Sequence, residues 1–310
     1  MWVEQNQTRE ARAVVGAFVK KQRLPDAFAR GFFDWYAGTV AHLANKARAS
    51  NHAILVGVSG CQGSGKSTLA RVMAEVAGSC YGIPSMAMSL DDFYLSKAER
   101  RDLSERVHPL FATRGVPGTH DLPLLRDTLH QLATGRDRVS VPVFDKARDD
   151  RTSMVHWRQI SAPMRLIFLE GWCVGLPPQA ESELTKPVNN MEAQKDDEQI
   201  WRREVNRQLA EDYQQLFGEI DALLFLKAPS FSAVFDWRWE QEQRLSQGHG
   251  AARVSPAEVT MSREEVAAFV LHYQRLTEHA LETLAHRSDL VWELDADRSV
   301  RRMQMMAVAA

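Results

Sequence analysis

The segment that decides the fold is Gly57–Thr68, which reads GVSGCQGSGKST. From Gly60 to Ser67 it matches the P-loop (Walker A) pattern G-x-x-x-x-G-K-S in full. Glycines let the backbone approach an anion without Cβ clashes, so several N–H groups can converge on phosphate oxygens. A strand-like apolar run, Ala53–Val58, precedes the motif, and a helical pattern begins inside it. Strand, glycine-rich turn and helix in this order predict a nucleotide-phosphate site.

The motif gives each part of this segment a chemical role. The free N–H groups and the positive end of the following helix attract the phosphates. We expect Lys66 to neutralise the β- and γ-phosphates and the Ser67 hydroxyl to ligate Mg²⁺. The expected cofactors are therefore ATP and Mg²⁺. The predicted nucleotide-binding residues of the loop are Gly60, Cys61, Gln62, Gly63, Ser64, Gly65, Lys66, Ser67 and Thr68.

Apolar runs and amphipathic helical stretches alternate along the chain after residue 50. The runs typical of buried parallel strands are Ala53–Val58, Ser85–Leu90, Leu166–Leu169, Ala222–Leu226 and Leu290–Leu294. A sixth run, Val139–Phe144, contains Pro142 and is expected at an edge or in a loop. Ser262 and Glu265 have capping-box spacing at the start of a long helical stripe. The alternation predicts an α/β P-loop NTPase fold, a parallel sheet with helices on both faces.

Composition limits the classes of protein to which the chain can belong. Of its 310 residues 45% are hydrophobic and 25% charged, which is typical of a globular protein. Lys and Arg number 38 against 40 Asp and Glu, and this balance argues against binding to nucleic acid or a membrane surface. Cys61, Cys80 and Cys173 have no metal-type spacing and suit reduced thiols. With no signal-like or membrane-spanning run, we expect a cytoplasmic protein with no evident protein partner.

Three missing features separate the classes of P-loop protein. No Asn-Lys-x-Asp guanine motif follows the loop, and no predicted strand ends in the Asp-Glu pair common in ATP-hydrolysing machines. The charge balance provides no basic face for tracking a polymer. A kinase acting on a small-molecule acceptor remains. A nucleotide-dependent regulatory ATPase is the more distant alternative.

Carboxylates end two of the predicted strands, at the sheet edge where such folds bind ligands. Asp91 and Asp92 follow the second run, and transfer to an alcohol needs a carboxylate to accept the hydroxyl proton. Glu170 ends the Leu166–Leu169 strand, where it can orient Mg²⁺ directly or through water. Capping of the next helix is the alternative role for all three residues.

Several segments together resemble a known group of kinases. The phosphate loop, Asp91–Tyr94 and Leu169–Trp172 are similar to the uridine kinase, pantothenate kinase and phosphoribulokinase group. Further segments narrow this resemblance to the plant-type D-glycerate 3-kinase family and its microbial relatives: Thr113–Pro123, Phe144–Lys146, Trp201–Asn206, Asp236–Trp239 and Met261–Val266. The likeness covers most of the chain, and the segments occur in family order.

The resemblance implies roles on the acceptor side of the site. Asp91 corresponds to the general base, and Arg114 and His120 lie in the segment that resembles the acceptor-binding loop. An acceptor carboxylate suits an arginine fork and a second donor. The residues implied to face the substrate are Asp92, Tyr94, Arg114, His120, Asp145, Lys146 and Arg151. For Arg114, His120 and the charged stretch Phe144–Arg151, purely structural or solvated roles stay open.

The resemblance also implies a lid over the nucleotide. In this kinase group a helix after the fourth strand covers the site, and here it would carry Arg238 and Arg244. A lid arginine stabilises charge on the transferring phosphoryl group and helps to exclude water. We expect Arg238 to act in catalysis and Arg244 to bind the nucleotide. An amphipathic surface helix is the alternative.

These inferences combine into a domain plan and a reaction. Residues 1–50 are predicted to form a helical extension packed on the core, and residues 51–310 the P-loop kinase domain. Acceptor-side and lid segments lie near 96–160 and 229–250, and the polar stretch Lys186–Gln199 is expected to be an inserted loop.

The resemblance implies the reaction of ATP with D-glycerate to give ADP and 3-phosphoglycerate. Plant members carry a glycine-rich stretch after the Asp-Lys pair, whereas this chain has Ala147–Asp150. This departure from the family pattern bears on the identity of the acceptor more than on the type of reaction. A nucleoside, pantothenate or another sugar acid therefore stays an alternative acceptor.

Overall fold

The computed structural model describes residues 2–246 and 261–305, with side chains described over 9–243 and 261–305. The strands are β1 (Ile54–Gly60), β2 (Ser85–Ser89), β3 (Arg138–Val141), β4 (Phe144–Asp145), β5 (Asp150–Arg151), β6 (Arg158–Ser161), β7 (Leu166–Gly171), β8 (Ala222–Lys227), β9 (Leu290–Leu294) and β10 (Val300–Met305). The helices are α1 (Trp2–Gln22), α2 (Asp26–Gly31), α3 (Ala37–Ala49), α4 (Lys66–Tyr81), α5 (Lys97–Arg106), α6 (Leu122–Thr134), α7 (Asn190–Lys195), α8 (Ile200–Gln208), α9 (Gln214–Phe217), α10 (Phe231–Ser246) and α11 (Arg263–Thr283).

A six-stranded sheet forms the centre of the molecule, in the order β10-β9-β8-β1-β7-β2. Its strands are parallel except β10, which runs antiparallel to β9. The five apolar runs predicted as parallel strands all lie in this sheet. The central strand β1 is buried along its whole length, as the continuous apolar pattern of a doubly covered strand requires.

The sheet separates two hydrophobic cores because successive residues of a strand point to opposite faces. Ile54 and Val56 of β1 pack in one core with α1, α3 and α4, whereas Leu55 packs in the other with α6 and α11. Helices thus cover both faces, and the predicted fold class is confirmed. The N-terminus of α11 is defined by the sequence, since Ser262 and Glu265 form the predicted capping box.

The N-terminal helices share the first of these cores. Phe32 and Val40 are fully buried in it, and Trp292 of β9 donates a 3.2 Å hydrogen bond to the carbonyl of Trp35. Arg165 Nη2 donates to the carbonyls of Ala47 and Ser50 at 2.7 and 2.6 Å. The extension is therefore joined to the sheet by apolar packing and by side-chain hydrogen bonds.

Three segments differ from the expectation. The run Val139–Phe144 stays outside the main sheet, because β3 pairs with β6 and β4 pairs with β5 in two small antiparallel sheets. The edge strand β10 has no apolar run and was missed. The stretch Lys186–Gln199 is not only a loop: it contains α7, and its Glu192 and Asp196 are buried. Arginines of α11 and α8 neutralise those two carboxylates.

In the parts of the chain described above, no helix has the length and apolar character needed to cross a membrane.

Candidate active site

The phosphate loop lies between the end of β1 and the start of α4. Its Gly63 and Gly65 have φ angles of 77° and 89°, in the left-handed region that favours glycine. A Cβ on Gly63 would lie 2.6 Å from Cβ of Trp237 in α10. Glycine is therefore required at position 63 both by the backbone and by the approach of the next helix.

Three strands end level with one another beside this loop. In the parallel register Glu170 of β7 is opposite Val58 of β1 on one side and Ser89 of β2 on the other. The carboxyl ends of these strands thus place Glu170 and Asp91 at one edge, next to the loop. Fold topology therefore brings together carboxylates that are 79 positions apart in the sequence.

Glu170 faces the first turn of α4. Ser67 Oγ donates a 2.6 Å hydrogen bond to Glu170 Oε1, and Lys66 Nζ lies 4.0 Å from Oε2. The Glu170 side chain is buried, and its Oε2 has no hydrogen-bond partner among the described residues. A hydroxyl, a buried carboxylate and an ammonium group thus meet at the positive end of a helix.

Asp91 accepts hydrogen bonds at both of its carboxylate oxygens. Tyr94 Oη donates to Oδ1 at 3.0 Å, and Lys146 Nζ donates to Oδ2 at 2.7 Å. Burial opposes ionisation of Asp91, but the positive charges of Lys146 and Lys66 more than offset it and hold its pKa well below the usual range. Asp91 is therefore a carboxylate at neutral pH.

His120 lies under Tyr94. The two rings are stacked with centroids 4.4 Å apart, and His120 Nδ1 is 2.6 Å from Tyr213 Oη. Burial lowers the pKa of His120 to about 4, although Asp91 acts in the opposite direction. Its Nε2 is buried and has no hydrogen-bond partner within the described chain. His120 is therefore a neutral, fixed imidazole with one unsatisfied ring nitrogen.

The β4–β5 hairpin carries Lys146 to Asp91, and Asp92 holds the start of this hairpin. Asp92 Oδ1 accepts from the Phe144 N–H at 3.3 Å, and Oδ2 accepts from Arg158 Nη2 at 3.0 Å. Burial raises the pKa of Asp92 despite Arg158. Asp145 Oδ1 accepts from the N–H groups of the two residues after Lys146 and so shapes the turn.

Arg114 and Arg151 each have a carboxylate partner. Arg114 pairs with Asp149 of the hairpin, and Arg151 Nη1 lies 2.8 Å from Asp121 Oδ2. Arg151 also lines an open cleft of ≈ 520 Å³, together with Asp145. Among the described residues, no hydrogen bond or ion pair joins Arg151 or Asp145 to Asp91. The structure thus brings Arg114, His120 and Lys146 around Asp91 and Tyr94, and leaves Arg151 and Asp145 on the outer side of the hairpin.

The predicted lid corresponds to α10, whose Trp237 packs on the phosphate loop. Trp237 Nε1 donates to the Ala296 carbonyl at 2.6 Å, and Arg298 Nε donates to the Gly63 carbonyl at 2.7 Å. Arg298 Nη1 also lies 2.6 Å from Glu240 Oε2. The phosphate loop, α10 and the β9–β10 turn are therefore joined through one arginine, Arg298.

Arg238 points away from these contacts, toward α11. It pairs with Glu242 one turn along α10, and its guanidinium lies 5.7 Å from the centroid of the Phe269 ring. Its Nη1 is buried without a hydrogen-bond partner in the part of the chain that is described. Arg244 belongs to α10, but its side chain lies outside the described residues, and the prediction for it stays a prediction.

Sequence reasoning missed Arg100, which contacts the site, and named Asp149 and Arg298 only as members of longer segments. Arg100 lies in α5, a helix with so many charged residues that no pattern distinguishes the single buried one. Asp149 was considered only as part of the charged stretch Phe144–Arg151, not as a partner of Arg114. Arg298 falls in the turn after the last predicted parallel strand, and that position was the available signal.

The chain is similar to known kinases over most of its length. The "Uncharacterized kinase mug58" of Schizosaccharomyces pombe is 35% identical over 246 residues, which cover 76% of this chain and 84% of that protein. The "D-glycerate 3-kinase, chloroplastic" of Arabidopsis thaliana is 30% identical over 229 residues, 71% of this chain and 46% of the relative. No family profile matches the chain.

A solved D-glycerate 3-kinase from Cryptococcus neoformans superposes with a TM-score of 0.69 at 24% identity. The match covers 87% of this chain and 97% of that one. At this identity the likeness concerns the fold, which is that of a P-loop kinase.

Proposed function

Because the chain belongs to the P-loop kinase family that includes the D-glycerate 3-kinases and uridine kinases, we propose that it is an ATP-dependent D-glycerate 3-kinase. It would transfer the γ-phosphoryl group of ATP to a hydroxyl of D-glycerate and release ADP and 3-phosphoglycerate. The observation that carries the proposal is the position of Arg114, a cation suited to a carboxylate, beside the aromatic pair Phe144 and Tyr94 that leads to Asp91.

The nucleotide would bind with its phosphates on Gly60–Thr68. The loop N–H groups and Lys66 supply positive charge, and Ser67 with Glu170 would hold Mg²⁺. Both contribute oxygen, the ligand that Mg²⁺ prefers, and the buried Glu170 Oε2 without a hydrogen-bond partner among the described residues fits a cation. When bound there, Mg²⁺ would supply positive charge that neutralises the phosphates during the transfer.

Asp91 would act as the base. As the acceptor oxygen bonds to the γ-phosphorus and the bond to the β-phosphate oxygen breaks, the hydroxyl proton passes to Asp91. The low pKa of Asp91 makes it a weak base, which suits a transfer in which the proton leaves late. Lys146 and Tyr94 hold the carboxylate by its two oxygens, so its position is fixed before the acceptor arrives.

The acceptor carboxylate would lie between Arg114 and His120. The unsatisfied, buried Nε2 of His120 supports this role, since a buried polar atom without a partner is costly. Arg238 would stabilise the transferring phosphoryl group from the lid. Asp92 and Asp145 would act through the hairpin that they shape, and Arg151 would act from its outer wall.

Two other functions are outcomes of the same test. A nucleoside, pantothenate or another sugar acid would be phosphorylated by the same residues. A regulatory ATPase would release ADP at a rate that does not depend on an acceptor, and the carboxylate at Asp91 would then have no use.

The test is coupled ADP production with MgATP and a panel of D-glycerate, L-glycerate, uridine, pantothenate and small sugar acids. We expect strong stimulation by D-glycerate and its loss in Asp91→Asn. Asp102→Asn is the matched control, because Asp102 is exposed on α5 and pairs with Arg106. A clearly higher rate with another acceptor, or a rate indifferent to acceptors, would overturn the proposal.

A further inference from the structure

Asp149 joins two arginines from different parts of the chain. Its Oδ1 accepts from Arg114 Nη1, and its Oδ2 accepts from Arg100 Nη2 at 2.7 Å. Arg100 Nη2 also donates to the Asp149 carbonyl at 2.8 Å. Asp149 lies in the β4–β5 turn with a φ angle of 55°, in the left-handed region. The turn is thus held in a strained conformation that aims one carboxylate at two guanidinium groups.

This Arg100–Asp149–Arg114 triad has a net charge of +1. Arg100 is fully buried, and its Nε and Nη1 have no hydrogen-bond partner within the described residues. The Arg114 side chain is 21% exposed and is therefore the member that a ligand can reach. A buried excess positive charge is costly unless an anion compensates it. The triad is thus built to receive one negative group, at Arg114.

Two aromatic rings, Phe144 and Tyr94, connect the triad to Asp91. The guanidinium groups of Arg114 and Arg100 lie 5.5 and 5.7 Å from the centroid of the Phe144 ring. Phe144 packs edge-on against Tyr94, with centroids 5.3 Å apart, and Tyr94 donates to Asp91. Arg114 also acts against the rise that burial causes in the pKa of Tyr94 and the rise that Asp91 causes in the pKa of Lys146. Both groups donate to Asp91, so an anion at Arg114 would lie in the electrostatic surroundings of Asp91.

We propose that the Arg100–Asp149–Arg114 triad selects an anionic acceptor, with Arg114 contacting the acid and Arg100 and Asp149 acting as positioning residues. Arg114 and Asp149 alone would be a neutral pair with little attraction for an anion. Arg100 neutralises the charge of Asp149 from the buried side, so the positive charge of Arg114 is available to the acceptor. The inference rests on the proposed function and names the groups that give it specificity for acids.

The first test replaces Arg100. Arg100→Gln should raise the KM for D-glycerate about 10- to 100-fold, which corresponds to about 1.4–2.7 kcal/mol, and leave the KM for ATP within about threefold. Arg100→Lys restores the charge and should recover part of the loss. Arg101→Gln is the control, since Arg101 is the next residue of α5, is exposed and pairs with Glu105. Thermal melting of each variant establishes that it is folded.

A second variant distinguishes the effect of the position of Arg114 from the effect of the net charge of the triad. Asp149→Asn adds net positive charge to the triad, and charge alone would therefore lower the KM for D-glycerate. Loss of the fixed position of Arg114 should raise it instead. A lower or unchanged KM in folded Asp149→Asn would overturn the positioning role, as an unchanged KM in folded Arg100→Gln would overturn the role of Arg100.

Paired acceptors distinguish failure of this inference from failure of the proposed function. The wild type and Arg100→Gln are compared on glycerate and glycerol, pantothenate and pantothenol, and a sugar acid and its sugar. If the wild type prefers an acid other than glycerate and Arg100→Gln loses this preference, the role of the triad is supported and glycerate is rejected as the substrate. If the protein phosphorylates D-glycerate and Arg100→Gln leaves its preference for the acid unchanged, the proposed function is supported and the role of the triad is rejected. A preference for uncharged acceptors would reject both.

Discussion

Lys146 Nζ lies 2.7 Å from Asp91 Oδ2, although the two residues are 55 positions apart in the chain. The lysine belongs to the β4–β5 hairpin, whereas Asp91 follows β2 of the main sheet. Its side chain is 62% exposed, so solvent partly screens the pair. The contact nevertheless helps to decide the ionisation of the proposed base, because Lys146 is the strongest of the charges that lower its pKa.

Replacement of Lys146 by Met should therefore change the pH dependence of the reaction. The native pKa of Asp91 is depressed, so its ionised form persists into acid solution; without Lys146, burial raises that pKa. The base then becomes protonated at a higher pH, and the acid limb of the kcat/KM profile should move upward by about one pH unit or more. Lys20→Met, an exposed change on α1, is the control. An acid limb in the same place would contradict the assignment of Asp91.

The hydrogen bond between Ser67 and Glu170 predicts a metal-dependent defect. Ser67→Ala and Glu170→Gln should each raise the Mg²⁺ concentration needed for half-maximal activity about 10- to 100-fold, because the first removes a hydroxyl oxygen and the second removes the negative charge beside it. The measurement is a Mg²⁺ titration at saturating ATP. Ser85→Ala is the control, since the Ser85 hydroxyl donates to the local Ile83 carbonyl. Unchanged Mg²⁺ dependence in both variants would reject the site.

The contact between Gly63 and Trp237 predicts that the phosphate loop tolerates no side chain at that position. Gly63→Ala adds a Cβ 2.6 Å from Trp237 and must displace α10, so ATP affinity should fall at least about tenfold. Gly82→Ala is the matched control: Gly82 also has a left-handed φ, 65°, but an added Cβ meets nothing within 4 Å. That variant should lose only the conformational cost of about 1–2 kcal/mol. Equal ATP affinity and equal melting temperatures for the two variants would refute the clash.

The buried pair Glu192–Arg275 predicts that the 186–199 segment contributes to global stability. The two groups lie 2.6 Å apart with side chains at most 6% exposed. Glu192→Gln leaves a buried guanidinium without its counter-charge and should cost about 3–5 kcal/mol in urea unfolding. Glu211→Gln removes an exposed partner of Arg207 and should cost less than about 1 kcal/mol. Similar losses in the two variants would mean that the segment is an independent surface loop.

The fold could be predicted from local sequence because its signals are local. The phosphate loop Gly60–Ser67 is contiguous, and each parallel strand appears as an apolar run since both of its faces are covered. The edge strand β10 mixes polar and apolar residues, none of which is buried, so it carried no such signal. The polar stretch around Glu192 was predicted to be an inserted loop because the buried counter-charge of Glu192, Arg275, is 83 positions away.

The candidate site shows the same difference between local sequence signals and contacts over long distances in the chain. The sequence by itself determined Lys66, Ser67, Asp91 and Glu170 as candidates, because each belongs to a motif or ends a recognisable strand. Only the tertiary structure decided which side chains meet. It shows that Lys146 pairs with Asp91 and that Arg100, Asp149 and Arg114 lie together beside Phe144. Charge pairing depends on distance in space, and the chain must fold before residues 35 and 49 positions apart can share one carboxylate.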